Sequence, residues 1–359
     1  MAARVRWPHR VRRRGAGNAT VTLPSMAATG REVNPTGAEA IAEFQSQRTG
    51  RSRPYLAVVT DLPIPGVDLE VLAGWMDAHG LGDGVLIDVE LIAGGTQNVL
   101  MRFTRSGRSY VLRRPPVHKR ANSDETMRRE ARVLAALAGS AVPHPGLVAA
   151  EPDPEILGAA FYLMEPVEGF NATLGLPAAF ASNLRWQHAM GLSMADAIAS
   201  LAAVDHRAVG LADLGRFEGW AERQVGRWRK QLDSYSEMPG YPGPQIPGVE
   251  QVGEWLAARV PADPQPGVMH GDFHFANVLI ANDRPAVAAM VDWELVTIGD
   301  PLLDLGHLLA TWPRADAVTV SVDAPGLPTP DEVIERYAAQ SPRSLSDLLW
   351  YRVLACYRL

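Results

Sequence analysis

The sequence is nearly without cysteine: Cys356 is the only one in 359 residues. That excludes a disulfide framework and a cysteine-based zinc cluster, and it points to a reducing, cytoplasmic setting. No uninterrupted apolar run reaches the roughly 18 residues of a membrane-spanning helix, so no membrane partner is expected. The phosphate loop GxxxxGK[ST] occurs nowhere, which argues against a P-loop nucleotidase. A secretion signal is also missing. The Arg-rich start leads into residues 15–30 (GAGNATVTLPSMAATG), which are small and polar where an apolar stretch would be required.

What remains is a chain with 47% apolar and 21% charged residues and a formal net charge of −6. This is too apolar for a disordered chain and long enough for one large domain or two ordinary ones. Arg4, Arg6, Arg10, Arg12, Arg13 and Arg14 crowd the first fourteen residues. A nucleic-acid arm is one reading. No aromatic platform accompanies the run, so a solvated tail is preferred and no nucleic-acid partner is expected. Residues 1–58 read as tail and linker, disordered in part, and Met26 could serve as an alternative start.

Periodic sequence begins near Asp68, where Leu69–Met76 has helical spacing and acid in its first turn, ended by Gly80 and Gly82. Residues 85–95 and 96–116 read as three short strands with turns at Gly94-Gly95-Thr96 and Arg105–Arg108. An amphipathic helix follows over 124–138, with Met127, Ala131, Leu134 and Leu137 on one face. Strands are expected at 147–151 and 159–169. A helix inserted into an antiparallel meander indicates an α+β lobe. Beyond Gly169 helices dominate, at 178–204, 217–236, 249–259, 331–340 and 344–359. The last has no stop signal, so the sequence reads as ending inside a helix. The expected division is a lobe at 59–166 and a larger helical lobe at 167–359.

Chemistry concentrates in residues 267–305. Two strands, VLIA (278–281) and VAAMVD (287–292), form a hairpin with polar residues at its mouth. His270, Asp272, His274 and Asn277 precede the first strand; Asp292 and Glu294 close the second. The oxygen donors Asn277 and Asp292 suit Mg²⁺. Asp272, five residues before Asn277, is left to accept a hydrogen bond from a substrate hydroxyl and align it for in-line attack on a phosphoryl group. His270 reads as a loop-orienting residue, Asp304 as a buried anchor and Asp300 as a helix N-cap before Pro301. His274 could be a metal ligand, but a lone His in a loop reads more readily as a surface or substrate-side residue.

Three motifs occur in order. They are His270-Gly271-Asp272 with Asn277, Val291-Asp292-Trp293-Glu294, and Gly299-Asp300-Pro301 with Asp304-Leu305. In these the chain resembles the aminoglycoside phosphotransferase and choline kinase-like branch of the protein-kinase fold, over roughly residues 65–359. With VLRRPP (111–116) and FYLMEPVEG (161–169), it is also similar to the phosphotransferase-like domains fused to some acyl-CoA dehydrogenases. The resemblance implies an α+β, bilobal kinase-like fold with an antiparallel sheet and a helix in the N-lobe, and a mostly helical C-lobe. It also implies ATP and Mg²⁺ as cofactors and a hydroxylated small molecule as acceptor. Asp272 would be the catalytic base, with Asn277 and Asp292 holding the metal. Arg113 stands where the family has a phosphate-binding Lys, with Glu130 as its ion-pair partner; the Arg fork is bulkier and binds phosphate differently. Arg114 would take that role if the strand register were off by one. Gly94, Gly95 and Thr96 would cradle phosphates, and Glu165 and Val167 would meet adenine through their backbone. Residues 161–359 hold 24 acidic and 14 basic side chains, a modest lean for a polycationic acceptor. One rival is a nucleotide-binding pseudo-kinase acting as an interaction module: the Lys-to-Arg change favours it slightly, and the intact Asp272, Asn277 and Asp292 oppose it.

Overall fold

A computed structural model describes residues 64–92, 98–238, 240, 241, 243, 246–313 and 322–359. All of them fall in the unit Leu56–Leu359. The expected tail at 1–58 and the loop Gly94-Gly95-Thr96 lie outside the described residues.

The expected meander forms a five-stranded antiparallel sheet. Its strands are β1 (Ile87–Leu91), β2 (Val99–Arg105), β3 (Arg108–Arg114), β4 (Leu147–Glu151) and β5 (Phe161–Met164), in spatial order β1-β2-β3-β5-β4. Burial alternates along β2, as a half-buried strand requires. One face meets α1 (Leu69–Ala78), whose start is fixed by Asp68: its carboxylate accepts from the N–H groups of Glu70 and Val71 at 3.0 and 3.1 Å. Leu72, Trp75 and Met76 pack there against Met101, Phe103, Leu112 and Leu163. Each such buried side chain contributes about 1.5–3 kcal/mol. At the sheet edge β1 is bulged between Ile87 and Glu90, with Asp88 at φ 51°.

Helix α2 (Ser123–Leu137) follows β3, and its apolar stripe belongs to a different core. Met127, Ala131, Leu134 and Leu137 join the large cluster formed by α3 (Leu184–Ala202) and the elements after it. Those elements include α4 (Arg223–Ser234), α5 (Val249–Ala257), α6 (Leu302–Ala310), α7 (Pro330–Gln340) and α8 (Leu348–Arg358). Pro330 at the first turn and a Thr329/Glu332 capping box set the start of α7.

Several boundaries depart from the sequence expectation. The run 178–204 is split, because Asn183 turns its side chain to the Trp186 N–H at 3.1 Å and starts α3 afresh. The run 217–236 becomes helical only at Arg223, since Gly219 sits at φ 58°, outside helical space. β5 stops at Met164, two residues before Pro166, which has no N–H to extend a ladder. The hairpin expected at 278–292 is β7 (Val278–Ile280) with β8 (Val287–Met290). Beside it lies a ladder absent from the sequence expectation: β6 (Gly267–Met269) pairs with β9 (Thr297–Gly299), closing the polar segment at both ends.

Candidate active site

The loop between β6 and β7 is held by its backbone. Gly271 adopts φ +87°, and a Cβ there would lie 2.4 Å from the Leu295 carbonyl oxygen, so only glycine fits. From α6, Asp304 takes one N–H on each carboxylate oxygen: His270 at 2.6 Å and Gly271 at 2.8 Å. Burial pushes the Asp304 carboxyl up to about 6 against those two hydrogen bonds. From α8, Arg358 donates through Nη2 to the Gly271 carbonyl at 2.6 Å. It lies over the Trp228 ring, and burial lowers it to about 10. His270 is fully buried, its Nε2 2.9 Å from the Val291 carbonyl, which ties the loop to the end of β8. The N-cap position of α6 falls to Pro301, one residue later than expected; Asp300 still serves the first turn, its Oδ1 accepting from Leu302 N–H at 3.0 Å, while Tyr351 and Gln265 donate to Oδ2.

This frame brings the hairpin mouth together. Asn277 donates through Nδ2 to the Asp272 backbone carbonyl and to Oδ2, both at 2.9 Å. Its amide oxygen is therefore the donor that remains. Asp292 sits at φ 65°, an uncommon conformation for any residue but glycine and one that Asp tolerates; it ends the extended strand there. One of its carboxylate oxygens accepts from Arg113 Nη2 at 2.8 Å. Two oxygen-bearing side chains thus flank the hairpin, a donor set that fits Mg²⁺.

Arg113 lies in β3 with 7% exposure and is paired with Glu130 of α2, Nε to Oε2 at 2.8 Å. Tyr162 donates to the same Oε2 at 2.7 Å. Burial opposes ionisation of both partners. For Arg113 the fields of Glu130 and Asp292 prevail and raise it, while Glu130 remains raised by its burial. Arg114 points elsewhere, donating to the Pro65 carbonyl at 3.3 Å. Glu165 uses its N–H on the Gly146 carbonyl at 2.8 Å and its carboxylate on Arg108 at 3.1 Å. Val167 follows it in the connection beyond β5.

Two side chains complete the surroundings of Asp272. His274 places Nε2 3.6 Å from Oδ2, while its Nδ1 accepts from Ala276 N–H at 3.2 Å. His307, mid-helix in α6, has Nε2 3.3 Å from Oδ1 without hydrogen-bond alignment. Burial would raise the Asp272 carboxyl, but the hydrogen bond from His274 and the fields of His274 and His307 hold it down at about 2. Burial lowers His307 to about 4, with Arg358 adding to it, so that ring is neutral at pH 7. His307 and Arg358 escaped the sequence reading: a lone His in an apolar helix and an Arg 87 residues from its partner carry no local signal.

The phosphotransferase enzyme family model matches residues 88–340. Rat acyl-CoA dehydrogenase family member 11 is 30% identical over 263 residues, covering 70% of this chain and 32% of its own length. The chain thus spans about a third of the length of the curated relatives it matches. A solved protein of Ralstonia eutropha JMP134, provisionally assigned as an aminoglycoside phosphotransferase, is 30% identical with TM-score 0.68. The match covers 81% of this chain and 86% of that one. A GDP and kanamycin complex of an aminoglycoside 2″-phosphotransferase shares the fold at TM-score 0.56 and 16% identity, over 81% and 89% of the two chains.

Proposed function

Since this chain belongs to the phosphotransferase enzyme family, we propose that it transfers the γ-phosphate of ATP to a hydroxyl group of a small molecule. The observation that carries this reading is the gathering of Asp272, Asn277 and Asp292 at one hairpin mouth, with Arg113 bonded to Asp292.

In this reading residues 59–166 hold the nucleotide and residues 167–359 supply catalysis and acceptor binding. Gly94, Gly95 and Thr96 cradle the phosphates, and Glu165 and Val167 present backbone groups to adenine. Arg113, oriented by Glu130, lends positive charge to the phosphate chain. Asn277 and Asp292 would hold Mg²⁺, which when bound supplies charge neutralisation for the phosphates. Asp272 accepts a hydrogen bond from the acceptor hydroxyl and aims its oxygen along the line of attack. A carboxyl held at about 2 is a weak base. Phosphoryl transfer tolerates that, because its loose transition state needs little prior deprotonation and most of the rate comes from positioning and charge. The setting is cytoplasmic, and neither nucleic acid nor membrane takes part.

The kanamycin in one similar structure makes aminoglycosides one acceptor class to try, beside sugars, amino alcohols and hydroxy-acyl compounds. One observation favours a second reading, a nucleotide-binding pseudo-kinase: Arg113 stands in place of Lys and is engaged by Asp292 as well as Glu130. ADP release across a panel of hydroxylated metabolites separates the two. Wild-type turnover that disappears in Asp272→Ala supports transfer, and a wild type no faster than that variant with every compound rejects it.

A further inference from the structure

The surroundings of Asp272 hold nitrogen donors that phosphoryl transfer does not require. Its two carboxylate oxygens face two imidazoles, His274 Nε2 at 3.6 Å and His307 Nε2 at 3.3 Å. The two rings are nearly parallel, with centroids 5.7 Å apart. The three ligand atoms all lie within 4.8 Å of one another.

We propose that Asp272, His274 and His307 bind a borderline transition-metal cation, Zn²⁺ foremost, at a site separate in its donors from the oxygen pair Asn277 and Asp292. Bonds of about 2.0–2.2 Å at tetrahedral angles put neighbouring ligand atoms about 3.3–3.5 Å apart. His307 Nε2 sits at that spacing from Oδ1, at 3.3 Å, and His274 Nε2 just beyond it from Oδ2, at 3.6 Å, so a cation here needs a small adjustment of the side chains around whichever oxygen it takes. Two imidazoles and one carboxylate suit the borderline divalent transition metals, zinc, cobalt, nickel and iron(II) among them, whereas Mg²⁺ favours oxygen. His307 is 2% exposed, and neither ring nitrogen has a hydrogen-bond partner. The side chains of Asp272 and His274 are 33% and 26% exposed, which leaves an approach from solvent and a position for water on the metal. Occupation has two local costs. His274 must carry its proton on Nδ1, giving up the 3.2 Å contact from Ala276 N–H, and the Asn277 amide NH₂, 2.9 Å from Asp272 Oδ2 and 3.4 Å from His274 Nε2, must turn away from the metal. If the phosphotransfer reading above holds, a cation here takes the carboxylate that the acceptor hydroxyl needs, and so inhibits turnover.

The test uses the full chain and cobalt(II) alone as the probe. One equivalent of Co²⁺ is expected to bind and give the visible absorption of a four- or five-coordinate nitrogen–oxygen site. Zn²⁺ should bleach that absorption, and excess Mg²⁺ should leave it. Loss of an outer-shell partner costs a metal site up to roughly 100-fold in affinity, so His307→Gln and His274→Ala should each cost at least that. Cys356→Ser controls for the exposed thiol and should bind as wild type. Absence of stoichiometric uptake overturns the proposal, as does uptake kept in His274→Ala, lost in Cys356→Ser, or displaced one for one by Mg²⁺. His274 is partly exposed, so its variant decides the matter even where His307→Gln fails to fold. None of these measurements involves turnover; a negative result leaves the phosphotransfer reading standing, and a failed ADP assay leaves the metal site standing.

Discussion

Removing the Asp304 carboxylate is expected to loosen the loop that carries Asp272. Each of its oxygens serves one buried N–H, that of His270 at 2.6 Å and that of Gly271 at 2.8 Å. Asp304→Ala strands both donors. A buried unsatisfied donor costs about 1–3 kcal/mol, so the loss is about 2–6 kcal/mol in all. That is a large share of the roughly 5–15 kcal/mol that separates folded from unfolded chains. Asp304→Asn keeps one acceptor and turns an NH₂ toward the other N–H, so about half the cost is expected. Urea unfolding supplies the free energies, and amide exchange at His270 and Gly271 shows whether the loop opens locally. ADP release in the Asn variant should fall by more than its stability alone explains, because Asp272 follows directly in the chain. If Asp304→Ala stays within about 0.5 kcal/mol of wild type and both amides exchange at the wild-type rate, the loop is held by something else.

Arg113→Ala leaves Glu130 buried without its cation and is expected to cost about 3–5 kcal/mol in a denaturant titration; Arg113→Lys should recover part of it. Gly271→Ala forces a Cβ to 2.4 Å from the Leu295 carbonyl at φ +87°, so ADP release should drop at least tenfold and unfolding should come earlier. His307 gives a pH signature. Its folded value is depressed from 6.5 to about 4, so its contribution is fully present above 6.5 and is lost as pH falls through about 4. The gap corresponds to about 3 kcal/mol. Unfolding free energies measured at pH 7.5, 6, 5 and 4.5 should therefore show wild type losing its lead over His307→Gln on acidification, and parallel curves would refute the assignment. Asp304 acts oppositely between about 4 and 6, and taking the difference between the two proteins removes that effect.

Much of this site could be read in the chain because its chemistry lies in one continuous stretch. A hairpin of two short strands brings the ends that carry Asn277 and Asp292 near each other, and a carboxylate five residues before Asn277, across a turn, can face the same volume. The α2 stripe was equally plain, since 3.6-residue spacing fixes a face. Its destination was not: periodicity cannot say which of two cores a helix joins. The β6–β9 ladder is three residues long on each side, below what alternation can signal. The true start of α4 hung on the left-handed conformation of Gly219, a property of backbone angles and not of composition. His307 and Arg358 reach Asp272 and Gly271 only through the packing of α6 against α8, so no spacing rule could find them.

The bulge in β1 bears on how copies of this chain meet. An open strand invites another chain to continue the sheet. Here Asp88 turns the backbone aside between Ile87 and Glu90, so an incoming strand would find its row of partners out of step. Val85 and Ile87 stand 77% and 51% exposed beside it, apolar surface that would otherwise make the edge adhesive. The kink gives that apolar margin an irregular outline where a straight strand would offer an even row of partners.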